Sequence, residues 1–168
     1  MWTTIVATLR EEFADLAGPE QLTRVTLRLL IAVLLGAVVG YEREMRGSTA
    51  GLRTHMLVAL GVALVVVVAQ EAGMGTSDMS RVVQGILAGI GFLGAGAIIK
   101  QRDKEEVRGL TTAASIWATA AIATAAGLGK GATALVATVL AVVILSLLLS
   151  IERKLTPSRH GDDERDAY

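Results

Sequence analysis

Five apolar blocks, each close to the length of a membrane-crossing helix, recur along this chain with charged or glycine-bearing breaks between them. A helix crossing the hydrocarbon core needs about 20 mostly apolar residues. Lipid offers no water to backbone N–H and C=O groups, so continuous blocks of this kind must bond internally, as helices. The blocks span residues 22–41, 54–70, 81–100, 108–128 and 133–151. The expected fold is therefore all-α: a polytopic membrane bundle of five transmembrane helices. A segment 1–21 precedes it and a polar tail 152–168 follows. A mean hydropathy of +0.55 and 52% hydrophobic residues over 168 positions argue for one integral membrane domain and no second folded unit.

The third and fourth blocks differ from the others in being built of small residues. Gly85, Gly89 and Gly96 share one helical stripe of the third, while Gly91 and Ala95 sit a turn apart. In the fourth, Ala114 and Ala118, then Ala121 and Ala125, repeat a small-xxx-small spacing. In lipid no hydrophobic force drives helix against helix, so close backbone approach through small residues must supply the contact. The Ala/Thr-rich fourth block is only modestly apolar and is expected in the middle of the bundle, under greasier neighbours. The glycines serve either packing alone or the opening of a helix around a site, as in discontinuous transporter helices. Gly94, Ala95 and Gly96 should lie at the depth of Thr111, Thr112 and Ser115, whose hydroxyls could bond carbonyls across the contact. The first block carries its own pair, Gly36 and Gly40, in a GxxxG spacing.

The flanks refine the picture. Trp2, Ile5, Val6, Leu9, Phe13 and Leu16 fall on one helical face, without the basic start of a signal peptide. That segment either lies in the membrane interface or packs against the bundle. Residues 152–168 are charged, contain Pro157 and are expected to be disordered. Eleven basic residues fall in the first loop, around the third loop and in the tail, against five on the other side. The positive-inside rule then puts the N-terminus out and the C-terminus in.

Several chemistries are excluded by what is missing. Formal net charge is zero, so no general attraction to nucleic acid is expected. There is no Cys and there are two His, one of them (His160) in the tail, so neither a metal site nor any cofactor is expected. Between their rims the five blocks hold no Asp or Glu, whereas a dedicated magnesium path calls for intramembrane acids. Backbone carbonyls of an opened Gly89–Gly96 segment are the remaining way to coordinate a cation. His55 has no Ser or Cys beside it in a nucleophile context, which argues against an enzyme. The polar candidates gather at two rims: Glu42, Arg43, Glu44, Arg46, Arg53, Thr54, His55 and Arg108 at one, Arg28, Asp78, Arg81 and Gln84 at the other. Arg28 lies a turn or two below the surface and is expected to pair with Asp78, shared with Arg81.

The pieces GYEREMRGSTAGLRTHMLVALG, DMSRVVQGILAGIGFLGAGAIIK and VRGLTTAASIWATAAI, in this order and spacing over about 22–128, resemble the MgtC/SapB family of bacterial inner-membrane proteins. The resemblance implies a small multi-span protein tied to growth at low magnesium and, in some pathogens, to survival inside macrophages. For the founding member it implies inhibition of the F-type ATP synthase and no transport. It suggests that Glu42, Arg53, Thr54, His55, Asp78, Arg81, the Gly89–Gly96 run, Arg108, Thr111, Thr112 and Trp117 stand at family motif positions. The virulence-associated branch carries a soluble C-terminal domain; the polar tail ending at Tyr168 is closer to the short, SapB-like branch. The expected function is thus a non-enzymatic regulatory or interaction protein of the inner membrane. Its partners are the lipid bilayer and other membrane proteins, or a further copy of itself. A cation transporter or channel subunit is the alternative.

Overall fold

A computed structural model describes residues 1–14, 18–100 and 107–155. Asp15 and Leu16, most of the charged link between the third and fourth blocks, and the tail with His160 lie outside the described residues. Among the described residues six helices follow one another: α1 Trp2–Glu12, α2 Pro19–Met45, α3 Leu52–Glu71, α4 Thr76–Ala97, α5 Leu110–Gly127 and α6 Gly131–Leu155. Between α4 and α5 the strands β1 Ile99–Lys100 and β2 Val107–Arg108 form a two-residue antiparallel ladder, Ile99 opposite Arg108. Among the described residues four helices, α2 to α5, are long and apolar enough to cross a membrane.

The helix limits follow from the local sequence. Pro19 opens α2 behind the extended Gly18, where its missing N–H costs nothing. At the far end Gly47 N–H bonds Glu44 O and Ser48 N–H bonds Arg43 O, a Schellman cap. Gly73 after α3 and Gly129 after α5 do the same, each at positive φ. The Glu44 carboxylate, on the last turn of α2, accepts the Leu52 N–H at 2.7 Å and so caps the start of α3.

Helix α5 lies at the centre and touches α2, α3, α4 and α6, as its modest hydropathy predicts. The core around it is built of small residues: Ala120, Ala123 and Ala126 of α5 itself and Ala32, Ala59, Ala63 and Ala134 of its neighbours are all buried. Small residues let axes approach, so the contact energy comes from dispersion between backbones. The tightest crossing is α2 on α3. A Cβ on Gly36 would lie 2.7 Å from Ala59 Cβ and 2.8 Å from His55 O; one on Gly40, 2.8 Å from Leu52 Cα. Gly127 on α5 meets Val66 on α3 in the same way, at 2.9 Å.

Two elements contribute little to this core: α1 nothing, and α4 Ile90, with Ile86 and Ala97 packed beside it. None of the α1 residues is buried, and Trp2, Ile5, Leu9 and Phe13 are exposed. Helix α4 is 11% buried over its most apolar window, against 50% for α5. Among the described residues, a Cβ at Gly85, Gly89, Gly91 or Gly96 would meet no atom of another element within 4 Å. Only Gly94 is buried, with Ala113 Cβ at 3.6 Å from its own added Cβ.

Candidate functional site

The polar residues collect at the two ends of the bundle. At the α2–α3 end, Glu42, Arg43 and His55 are buried beside Thr112, Ser115 and Thr119 of α5. His55 is fully buried, pressed by the Gly40 crossing. Its Nδ1 faces Gly51 O at 2.9 Å and its Nε2 faces Ser115 Oγ at 3.2 Å. A carbonyl can only accept, so Nδ1 carries the proton, and in the neutral ring Nε2 is an acceptor. Ser115 also lies 2.8 Å from Thr112 O. Its single proton can go to Thr112 O or to His55 Nε2, so this hydroxyl is a rotor with two resting places. Thr119 donates to Ser115 O, and Ser48 shares a hydrogen bond with Thr112 across to α5.

Beside it, Glu42 takes Arg46 Nε at 3.2 Å and lies 3.5 Å from Arg43 Nη1. Glu42 Oε2, Arg43 Nε and Arg43 Nη1 are buried without hydrogen bonds. Breaking such a pair leaves a buried charge alone and is more costly than the pair itself. Sequence reading did not expect a serine beside His55, because the two are 60 residues apart. The 3.2 Å distance suits a nucleophile and its base, yet both side chains are buried away from any substrate. Nδ1 meets a main-chain carbonyl in place of an orienting carboxylate. The arrangement locks α3 to α5. Among the described residues no group of three or more His, Asp or Glu could hold a metal ion.

At the other end Arg28 is not paired with Asp78. Its Nη1 donates to Gln70 Oε1 at 2.7 Å, and its Nη2 lies 2.8 Å from a Cβ added to Gly129. The guanidinium is thus drawn under the α5–α6 turn, where the carbonyl end of α5 attracts a cation, while Asp78 stays exposed on α4. Gln21 Nε2 donates to Glu71 Oε2 nearby and ties α2 to α3. We expect Arg28→Leu and Gln70→Leu each to lower stability by about 1–3 kcal/mol, with the double change costing less than the sum. Arg28→Leu and Asp78→Ala should simply add. Thermal melting of the purified protein in detergent reads both cycles; coupling of Arg28 to Asp78 instead would contradict this geometry.

Of the residues singled out from the sequence, Glu42, His55, Thr112 and Ser115 come together. Their hydroxyls face α2 and α3 and bond within α5, across to the α2–α3 loop and to His55, not to glycines of α4, because Ala113 occupies the side turned to Gly94. Arg53, Thr54 and Arg108 are exposed at the same end, and Thr111, Ala114 and Trp117 on α5 are exposed, with Ala118 half-buried. Gly85, Gly89, Gly91 and Gly96, with Asp78 and Arg81, lie on exposed surface of α4. Missed were Arg43 as a buried charge, Gln70, Thr119, and the Gly36/Gly40 pair as the crossing that seats His55.

The family model described as MgtC family matches residues 29–154. Protein SrpB of Synechococcus elongatus is 42% identical over 139 residues, 76% of this chain and 76% of its own. Protein MgtC of Salmonella typhimurium is 47% identical over 116 residues, 68% of this chain and 48% of its own. Protein MgtC of Brucella abortus is 46% identical over 117 residues, 70% and 48%. The chain spans about half the length of these two MgtC proteins. No solved structure matches it.

Proposed function

The chain belongs to the MgtC family and is a multi-pass membrane protein, and from that premise we propose that it is a non-enzymatic regulator of the bacterial inner membrane that acts by helix contact. In this reading α6 is the fifth span, the N-terminus is outside and the C-terminus inside. Helix α1 then lies in the outer interface with Trp2, Ile5, Leu9 and Phe13 toward lipid. Its biological setting is growth at limiting magnesium, and the complexes it acts on are membrane assemblies such as the F-type ATP synthase.

One observation carries the reading. Helix α4 has the composition of a contact helix, yet among the described residues its Gly85, Gly89, Gly91 and Gly96 have no neighbour to match. Its hydropathy of 1.2 equals that of α5, which is sheathed by four helices, and falls well below the 2.0 and 2.2 of α2 and α3. Against lipid such a helix gains little; against another helix its glycines permit backbone contact. A magnesium path lacks support of this kind, since hard cations want clustered oxygen ligands, and the buried hydroxyls of α5 are all engaged in hydrogen bonds.

The test pairs two measurements. Purified protein in liposomes should carry no Mg²⁺ flux. Gly89→Leu should reach the membrane at the wild-type level, since none of the described residues lies within 4 Å of a Cβ there, and should fail to support growth at low magnesium in cells lacking the native protein. Specific Mg²⁺ flux by purified wild type, or full activity of Gly89→Leu, overturns the proposal.

A further inference from the structure

We propose that the uncovered face of α4 seats a second copy of this chain, the two related by a twofold axis along the membrane normal. This rests on reading α4 as a contact helix and goes further by naming what it contacts. The face is a single stripe: Asp78, Arg81, Gly85, Gly89, Phe92 and Gly96, all exposed. The opposite side of α4, with Val83, Ile86, Ile90 and Gly94, is turned to the bundle.

Three features of the stripe make it complementary to itself. The first is shape. Phe92 stands 81% exposed between Gly89 and Gly96, which offer no side chain of their own. A knob and its holes on one face are what a twofold needs, because an isologous contact puts each surface against its own copy. The second is charge. Asp78 and Arg81 lie on the same stripe, opposite in sign and less than a turn apart, and neither forms an ion pair or a side-chain hydrogen bond among the described residues. Across a twofold, Asp78 of each copy faces Arg81 of the other. A heterologous partner would have to supply this arrangement independently; a second copy carries it already. The third is direction. Copies inserted with one topology bring their α4 helices together parallel, so the charged turns meet at one end and the glycines meet along the middle. Close approach there gains dispersion contact that lipid tails do not match.

The chain has no cysteine, so single-cysteine variants of the full-length protein carry no background thiol. In native membranes, oxidation of Gly85→Cys, Gly89→Cys and Phe92→Cys should give disulfide-linked dimers. Val83→Cys and Ile90→Cys on the opposite side should give several-fold less. Asp78→Arg should reduce the dimer yield of Gly85→Cys several-fold, and adding Arg81→Asp should restore it. Three results overturn the proposal: equal yields on both sides of α4, no dimer from any face position at wild-type protein level, or no recovery on the double charge swap. If the face cysteines instead form adducts with a different membrane protein, the second copy is wrong while α4 remains a contact helix. If they form no adduct with any protein and Gly89→Leu stays fully active, the contact-helix reading fails as well.

Discussion

Alanine at Gly36 or Gly40 should remove most of the folded protein from the membrane, while alanine at Gly91 should leave it unchanged or slightly more stable. The substitution is the same and the surroundings reverse its sign. At Gly36 the new methyl would stand 2.7 Å from Ala59 Cβ and 2.8 Å from His55 O; at Gly40, 2.8 Å from Leu52 Cα and 3.1 Å from Leu52 O. Most of these neighbours are main chain or Cβ, so no rotamer change relieves them, and α2 and α3 must move apart. Overpacking of this kind costs about 1–3 kcal/mol where the surroundings give a little, and a rigid helix pair gives less. The damage spreads, because the same crossing fixes His55 against Ser115 and brings Glu44 to the start of α3. Against a total stability of about 5–15 kcal/mol, either change should lower the melting temperature sharply, and the pair together should leave little protein. A Cβ at Gly91 would meet no other element within 4 Å among the described residues, and Gly→Ala in a helix interior gains about 0.5–1 kcal/mol of backbone entropy. Melting of the three purified variants in one detergent decides it. A Gly36→Ala protein that melts with the wild type would mean that α2 and α3 do not cross as closely as described.

That contrast also marks what the sequence could and could not reveal. Membrane-length apolar blocks are legible because lipid leaves the backbone so few options. The central place of α5 followed from its low hydropathy, since a weakly apolar helix is best placed where protein surrounds it. The same reasoning fails for α4, which has the same low hydropathy and lies at the edge of the bundle with most of its surface exposed. Small residues announce that something comes close without naming it. The first-block glycines and the α4 glycines have similar spacing, and only the folded arrangement separates Gly36 and Gly40, which meet α3, from Gly85 and Gly89, which meet nothing among the described residues. Arg28 misled for a related reason. Pairing by opposite charge pointed to Asp78, whereas the turn at Gly129 and the end of α3 bring a neutral amide, Gln70, to the guanidinium. Ser115 and His55, 60 residues apart, could be joined only once α3 and α5 were known to lie side by side.

The second large effect is expected at Gly109, where the chain turns from the link into α5. Gly109 takes φ 95° and ψ 0°, a left-handed conformation, as the N-cap residue. A Cβ there would lie 2.0 Å from Ala97 O and 3.0 Å from Ala97 C. The left-handed backbone alone costs an L-residue about 1–2 kcal/mol. The collision is the larger obstacle, because a carbon normally stays about 3.3 Å or more from a carbonyl oxygen, and Ala97 O belongs to the last turn of α4. Relief therefore needs a displacement of roughly 1 Å between the end of α4 and the start of α5. The ladder that pairs Ile99 with Arg108 opposes it. The first backbone bond of α5, Ala113 N–H to Gly109 O at 2.8 Å, depends on the same position. Thr112 and Ser115 follow within two turns, so a shift there carries Ser115 away from His55. Gly109→Ala should consequently be among the most damaging single changes in the protein. A loss of about 2–5 kcal/mol is expected from strain and overpacking together. Asparagine separates the two causes, since it tolerates left-handed backbone several-fold better than alanine but brings the same Cβ. Gly109→Asn should fare no better than Gly109→Ala in membrane level and in melting temperature. Recovery by asparagine would show that conformation, and not contact with Ala97, is what holds glycine at this position.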